Sequence, residues 1–129
     1  AATAAPTAAP TAVPPTAVPP TAVPPTAPPT GTILNEGGTI AAGATTTHTF
    51  NVGPGRVYTV VVTPSAEFDV APEFNCTTTG GNASGGFDWD WEGVPETFTY
   101  TPTGTGSCTI TVGGYQGSTG TYTIVATAR

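Results

Sequence analysis

Residues 46–62 read TTHTFNVGPGRVYTVVV, and this stretch decides the fold. Larger side chains alternate with polar ones at His48, Phe50 and Val52, and alternation resumes after the turn-forming Gly-Pro-Gly at 53–55. A period of two is typical of β-strands, whose successive side chains point to opposite faces of a sheet. The stretch therefore predicts two strands separated by a tight turn.

The same pattern continues to the C-terminus, and no window carries a useful helical period. Short apolar alternations, punctuated by glycine- and proline-rich turns, predict about eight strands. We expect an all-β, antiparallel β-sandwich or jelly roll over residues 31–129. The predicted strands lie near 45–53, 57–63, 67–71, 73–79, 86–91, 96–101, 107–113 and 120–128.

Residues 1–30 have a different composition, built from Thr, Ala, Val and Pro with Thr-Ala-Val-Pro-Pro repeats. Proline blocks both helix and central strand, so we expect an extended polyproline II tail. Thr/Pro-rich sequence is typical of O-glycosylated stalks, and the repeat spacing spreads the threonines around the rod. An undecorated flexible linker is the alternative. The candidate sugar carriers are Thr3, Thr7, Thr11, Thr16, Thr21 and Thr26.

The charge balance excludes several function classes. The chain has two basic residues and eight acidic ones, for a formal net charge of −6. Nucleic-acid binding and attachment to an anionic membrane both need basic patches, so we expect neither. No stretch has the apolar length of a membrane span.

Cys76 and Cys108 are the only cysteines, and their spacing does not suit a metal site. They predict one disulfide in an exported protein, although two reduced core thiols would give the same count. The sequence begins Ala1-Ala2, as after removal of a signal peptide, and a proteolytic fragment would look the same. We expect an extracellular or cell-surface location in a bacterium.

Several short segments together resemble bacterial pre-peptidase C-terminal domains over roughly residues 35–127. They include an acid-led strand, a strand that ends in a V-x-G-Y-type motif and a G-x-Y-x-L-like closing strand. The resemblance implies a β-sandwich that serves as an accessory module, and some members of that family bind calcium or matrix polymers. Ala71 stands where the family's D-x-D-L segment has its second acid, which weakens the transfer of calcium sites. The segments are 48–53 (HTFNVG), 58–60 (YTV), 68–72 (FDVAP), 96–104 (ETFTYTPTG), 108–117 (CTITVGGYQG) and 120–124 (GTYTI).

The densest local signal is FDWDWE at residues 87–92. On a strand, its aromatic residues share one face and its acids the other. The leading interpretation is a core-facing aromatic stripe with a solvated acidic face. Two functional alternatives are a Ca²⁺ site, since Ca²⁺ takes six to eight oxygen ligands, and an outward tryptophan platform for sugars. The metal candidates are Asp69, Asp88, Asp90 and Glu92, and the platform candidates are Trp89 and Trp91.

Catalytic signals are weak. His48 is the only histidine and shares a face with Phe50, so we interpret it as a half-buried structural residue. No G-x-S-x-G motif, phosphate loop or zinc spacing occurs. A carboxylate pair for sugar hydrolysis is an open but weak alternative. We expect no catalytic residue and no cofactor beyond a possible Ca²⁺.

These features predict a non-catalytic extracellular structural protein, a subunit of a surface filament or layer. The glycan-bearing tail of one copy would contact neighbouring β-sandwich heads, which gives self-assembly into a homopolymer. The alternative is an accessory calcium- or polysaccharide-binding module of a secreted hydrolase.

Overall fold

The structure is a computed structural model that describes residues 2–17 and 30–129. Residues 2–17 contain no helix or strand, and all of them are exposed. The polyproline II tail and the stalk boundary at residue 30 remain predictions. Two of the predicted sugar carriers, Thr21 and Thr26, lie outside the described residues.

The described part of the chain forms an antiparallel β-sandwich, as the alternation predicts. Its eight strands make two four-stranded sheets, ordered β1-β8-β3-β6 and β2-β7-β4-β5. A single 3₁₀ turn at Tyr115–Gly117 joins β7 to β8. The strands are β1 (Gly31–Ile40), β2 (Thr46–Val52), β3 (Tyr58–Pro64), β4 (Val70–Thr78), β5 (Gly81–Gly86), β6 (Glu96–Tyr100), β7 (Gly106–Gly114) and β8 (Gly120–Ala128).

The inward residues of each strand build the core between the sheets. In β3, Tyr58, Val60 and Val62 are fully buried, and the intervening Thr59 and Val61 are partly exposed. Fully burying one aliphatic or aromatic side chain is worth about 1.5–3 kcal/mol. The alternation read from the sequence therefore corresponds to the division between core and surface.

Cys76 and Cys108 form the predicted disulfide, and both are fully buried. They face each other in the register of β4 and β7, with 4.0 Å between their Cα atoms. The bond therefore links two neighbouring strands of one sheet, not the two sheets.

His48 is more buried than the sequence suggested, with 6% of its surface exposed. Its Nδ1 pairs with a carboxylate oxygen of Glu36 on β1, and its Nε2 lies 2.7 Å from the hydroxyl of Tyr122 on β8. Because a carboxylate only accepts, Nδ1 donates to Glu36, while Nε2 and the Tyr122 hydroxyl share the second hydrogen bond. His48 on β2 thus joins the two sheets through its contacts with β1 and β8.

Several strand predictions need correction. β1 was not predicted, because its Asn35-Glu36-Gly37-Gly38 centre lacks apolar alternation. Residues 67–69 form a connection, and the predicted strands 67–71 and 73–79 are one strand, β4. β5 was not predicted either, because its Gly-Asn-Ala-Ser-Gly-Gly sequence has no apolar alternation. Residues 87–91 also leave the sheet: the chain must cross from β5 in one sheet to β6 in the other, and it does so over residues 87–95.

Candidate functional site

Three connections meet at one end of the sandwich: residues 65–69, residues 87–95 and the turn that starts at Tyr115. The N–H of Gly93 donates to the carbonyl oxygen of Phe68 across 3.1 Å. The N–H of Tyr115 donates to the carbonyl oxygen of Asp69 across 2.9 Å. The segment 65–69, anchored by fully buried Phe68, therefore holds the other two connections together.

Buried Glu96 fixes the course of the connection 87–95. It is the first residue of β6 and is only 2% exposed. Its two carboxylate oxygens accept separate backbone hydrogen bonds, from Trp89 N–H at 3.0 Å and from Asp90 N–H at 2.9 Å. A buried carboxylate is tolerated when its oxygens are satisfied in this way. The clamp fixes the backbone from which two tryptophans project.

Gly93 completes the shape of this connection. Its φ is +74°, a conformation that side-chain-bearing residues adopt at a cost. A Cβ at this position would also lie 2.6 Å from the carbonyl oxygen of Ala66. The N–H of Val94 donates to the carbonyl oxygen of Trp91 across 3.2 Å and closes a turn. Only glycine fits here without displacing the neighbouring connection.

The side chains at this end form what we call the aromatic–acidic surface. It surrounds an open depression of about 320 Å³. Trp89 and Trp91 are 73% and 79% exposed, and Tyr115 is 49% exposed. The residues that line the depression are Asp69, Asp88, Trp89, Asp90, Trp91 and Tyr115.

The acids of this surface repel one another. Partial burial raises the pKa of Asp88 above its ordinary value of 3.8, and the negative charges of Asp69 and Glu96 raise it further. Desolvation and like charge both disfavour the ionised carboxylate. A positive charge placed in the depression would therefore relieve an unfavourable interaction.

The predicted arrangement of residues 87–92 is wrong in detail. Phe87 is buried in the core, but Trp89 and Trp91 project outward, so there is no core-facing stripe of three aromatics. Asp88 and Asp90 line the same depression as the tryptophans and do not occupy an opposite face. The connection is irregular, so the period of two does not apply to it.

The metal candidates are only partly brought together. Asp69, Asp88 and Asp90 line the depression, whereas Glu92 does not. Within residues 2–17 and 30–129, no three His, Cys, Asp or Glu residues form a group that could hold a metal ion. The calcium hypothesis therefore lacks a ligand cluster to support it.

The remaining site predictions stay predictions. Trp89 and Trp91 have the exposure that a sugar platform needs, but no ligand tests that role. Thr3, Thr7, Thr11 and Thr16 are exposed, as an acceptor of O-linked sugar must be. Glu96 was not predicted from the sequence as a site residue. The sequence does hold an indication: Glu96 alternates with Phe98 and Tyr100, which places an acid on the inward face of a strand.

Comparison with known proteins gives a likeness in structure but none in sequence. No family model matches the chain, and no curated protein matches its sequence. The fold is similar to the crystal structure of Aeromonas hydrophila PliG, a periplasmic lysozyme inhibitor of g-type lysozyme. The TM-score is 0.53 at 16% identity, over 77% of this chain and 88% of that one. At this identity the likeness establishes the β-sandwich alone.

The prediction of a filament subunit that self-assembles into a homopolymer is wrong. A solved structure with a similar fold is that of a lysozyme inhibitor, which points to a binding function and not to a filament subunit. The alternative, a calcium- or polysaccharide-binding module of a hydrolase, is likewise not what this comparison supports.

A buried disulfide and a periplasmic neighbour both fit a location outside the cytoplasm. In the described ranges, no helix has the length and apolarity to cross a membrane. The chain is thus similar in fold to a periplasmic enzyme inhibitor.

Proposed function

We propose that the β-sandwich is a protein-binding module that inhibits an enzyme of the g-type lysozyme class outside the cytoplasm. One observation carries this proposal: two largely exposed tryptophans project from a connection whose backbone is clamped by buried Glu96. The inhibitor title of the structural neighbour supports the choice of enzyme class.

The exposed tryptophans favour a binding role on energetic grounds. Large aromatic side chains are normally covered, and Trp is enriched among the residues that dominate protein–protein affinity. Trp89 and Trp91 lie two residues apart at the rim of one depression, so they form a patch and not scattered exposure.

The rigidity of the connection supports the same role. Binding costs free energy when mobile groups must be ordered. The hydrogen bonds from Trp89 and Asp90 to Glu96, and the turn at Gly93, fix the backbone before a partner arrives. A pre-formed connection therefore keeps more of its contact energy as affinity.

The tail and the location complete the proposal. In this scheme the protein is exported to a bacterial cell surface, and residues 1–30 form a stalk that carries O-linked sugars. The exposed threonines among residues 2–17 support that role. We also propose that residues 35–127 are related to the pre-peptidase C-terminal domains that their sequence resembles.

Inhibition of a purified g-type lysozyme tests the proposed function. The rate of peptidoglycan lysis is measured against increasing concentrations of the full chain, the Trp89→Ala/Trp91→Ala double variant and a Thr49→Ala control. Thr49 is exposed on β2 and contacts Thr109, outside the aromatic–acidic surface. We expect the wild type and T49A to inhibit equally. Loss of the two anchors should weaken inhibition by about thirtyfold or more.

We expect the double variant to fold, because the truncated tryptophan side chains are mostly exposed. The melting temperatures of all three proteins check this. Two results contradict the proposal. The first is no inhibition by the wild type at a large excess over the enzyme. The second is full inhibition by the folded W89A/W91A variant.

A further inference from the structure

We propose that the depression in the aromatic–acidic surface is a receptor for one arginine side chain of the protein partner. This inference rests on the proposed function, and it names the chemistry that the partner must present.

The aromatic walls suit a guanidinium group. Trp89, Trp91 and Tyr115 contribute three aromatic side chains to one depression. A cation over the face of an aromatic ring is attracted by the ring quadrupole, and tryptophan gives the strongest attraction. Arginine also stacks its planar group on such faces, which the compact ammonium of lysine does not do.

The carboxylates supply the complementary charge. Asp69, Asp88 and Asp90 line the depression together. The chain has only two basic residues, Arg56 and Arg129, and neither is among the lining residues. A positively charged ligand would therefore add the complementary charge that the lining residues themselves lack. A guanidinium offers five N–H donors in a fork that matches carboxylate geometry.

The electrostatics of Asp88 agree with this assignment. The pKa of Asp88 is raised by partial burial and by the charges of Asp69 and Glu96. A bound cation would offset that repulsion and lower the pKa again. Binding should therefore release a proton in the pH range where Asp88 titrates, and it should weaken as the pH falls through that range.

The size of the depression is compatible with one arginine side chain. Its volume of about 320 Å³ is at the small end of the range of about 300–1,000 Å³ for ligand pockets. A bare Ca²⁺ ion is a poor alternative, since the described residues contain no group of three metal-type ligands. Arginine uses both the aromatic and the acidic groups.

Tryptophan fluorescence of the full chain gives a site-specific test, because both tryptophans of the protein lie in this surface. The probes are three capped tripeptides, Gly-Arg-Gly, Gly-citrulline-Gly and Gly-Lys-Gly. Citrulline has the shape of arginine without the charge. We expect the arginine peptide to bind about tenfold more tightly than the citrulline peptide, with the lysine peptide between them. Raising the salt concentration should weaken arginine binding.

Two single-charge variants sharpen the test. Asp88→Asn removes one acid from the depression, and Glu73→Gln removes one exposed acid of β4 outside it. We expect D88N to weaken arginine binding by about fivefold and E73Q to leave it unchanged. Equal losses in both variants would mean that arginine responds only to the net charge, which would overturn the proposal.

The outcomes also separate this inference from the proposed function. Arginine selectivity without lysozyme inhibition would support the receptor and reject the inhibitor role. Inhibition that is unaffected by D88N, together with equal binding of the arginine and citrulline peptides, would reject the receptor and retain the inhibitor. A fluorescence response to soluble chito-oligosaccharide but not to the arginine peptide would instead assign the tryptophans to sugar binding.

Discussion

The carboxylate of Glu96 accepts a hydrogen bond from the backbone N–H of Trp89, with 3.0 Å between Oε2 and N. One partner is buried in the core at 2% exposure, and the other presents a side chain that is 73% exposed. A buried carboxylate thus fixes the backbone position from which an exposed tryptophan of the proposed binding surface projects.

Glu96→Gln should release this connection. The glutamine amide keeps one acceptor oxygen, so one of the two backbone N–H groups of Trp89 and Asp90 loses its partner. We expect the free energy of unfolding to fall by about 1–3 kcal/mol. Hydrogen exchange at these two amides should become faster. The control is Thr97→Ala, an exposed position on the same strand, and unchanged exchange in E96Q would contradict the clamp.

Gly93→Ala should lower the free energy of unfolding through both backbone strain and a steric collision. Gly55→Ala should do so through backbone strain alone. Both glycines have positive φ, at +74° and +78°, but a Cβ at Gly55 would meet nothing within 4 Å. We expect G55A to lose about 1–2 kcal/mol from backbone strain alone. G93A should lose more, because its Cβ would collide with the carbonyl oxygen of Ala66. Urea unfolding measures both, and equal losses would refute the steric argument.

The disulfide should provide a large share of the stability. It closes a sequence separation of 32 residues between Cys76 and Cys108. In the chain-entropy model this is worth about 3–4 kcal/mol, and removing a native disulfide from a small secreted domain costs about 2–5 kcal/mol. We expect the C76A/C108A variant to unfold at lower urea concentration by that amount. A wild-type midpoint that does not change when the bond is reduced would be the contrary result.

Tyr122 should make the protein sensitive to alkali. Burial raises its pKa above the ordinary value of 10.0, and the charge of Glu36 raises it further, against a lowering by the Thr46 side chain. The unfolded chain then loses this proton first as the pH rises. The contribution of this pKa difference to the free energy of unfolding is therefore fully present below pH 10. It is lost as the pH rises through the folded-state pKa.

The Tyr122→Phe variant tests this pH dependence. At neutral pH it should be less stable than the wild type by about 1–3 kcal/mol, since Nε2 of buried His48 loses its hydrogen-bond partner. Above pH 10 the difference should narrow. Urea midpoints measured from pH 8 to 11 give both quantities. Parallel curves for the two proteins would show that Tyr122 does not control the alkaline transition.

The sequence predicted the sandwich well where burial alternates strictly. In β3 the inward set of Tyr58, Val60 and Val62 has the apolar character that a period of two requires. The disulfide was also predictable, since two cysteines in an exported domain have one way to pair. The strand predicted at Trp89 and Trp91 was wrong. Alternating aromatic and acidic residues can occur in a paired strand or in a connection that crosses between sheets, and the pattern alone does not distinguish the two.

The binding surface was only partly predictable for a related reason. The sequence indicated that residues 87–92 were chemically dense, and it identified Asp69 as a candidate partner. It did not identify Glu96 or Tyr115, because their contribution depends on which connections meet at one end of the fold. That meeting is set by the strand order of the two sheets, which local patterns do not specify.

The proposed inhibitor role is tested most directly by calorimetric titration of a g-type lysozyme with the full chain, compared with its W89A/W91A variant. We expect a saturable one-to-one complex for the wild type and a matching loss of lytic activity. Binding of the folded double variant should be at least about thirtyfold weaker. Equal binding by the two proteins, or no heat of binding from the wild type, would contradict that role.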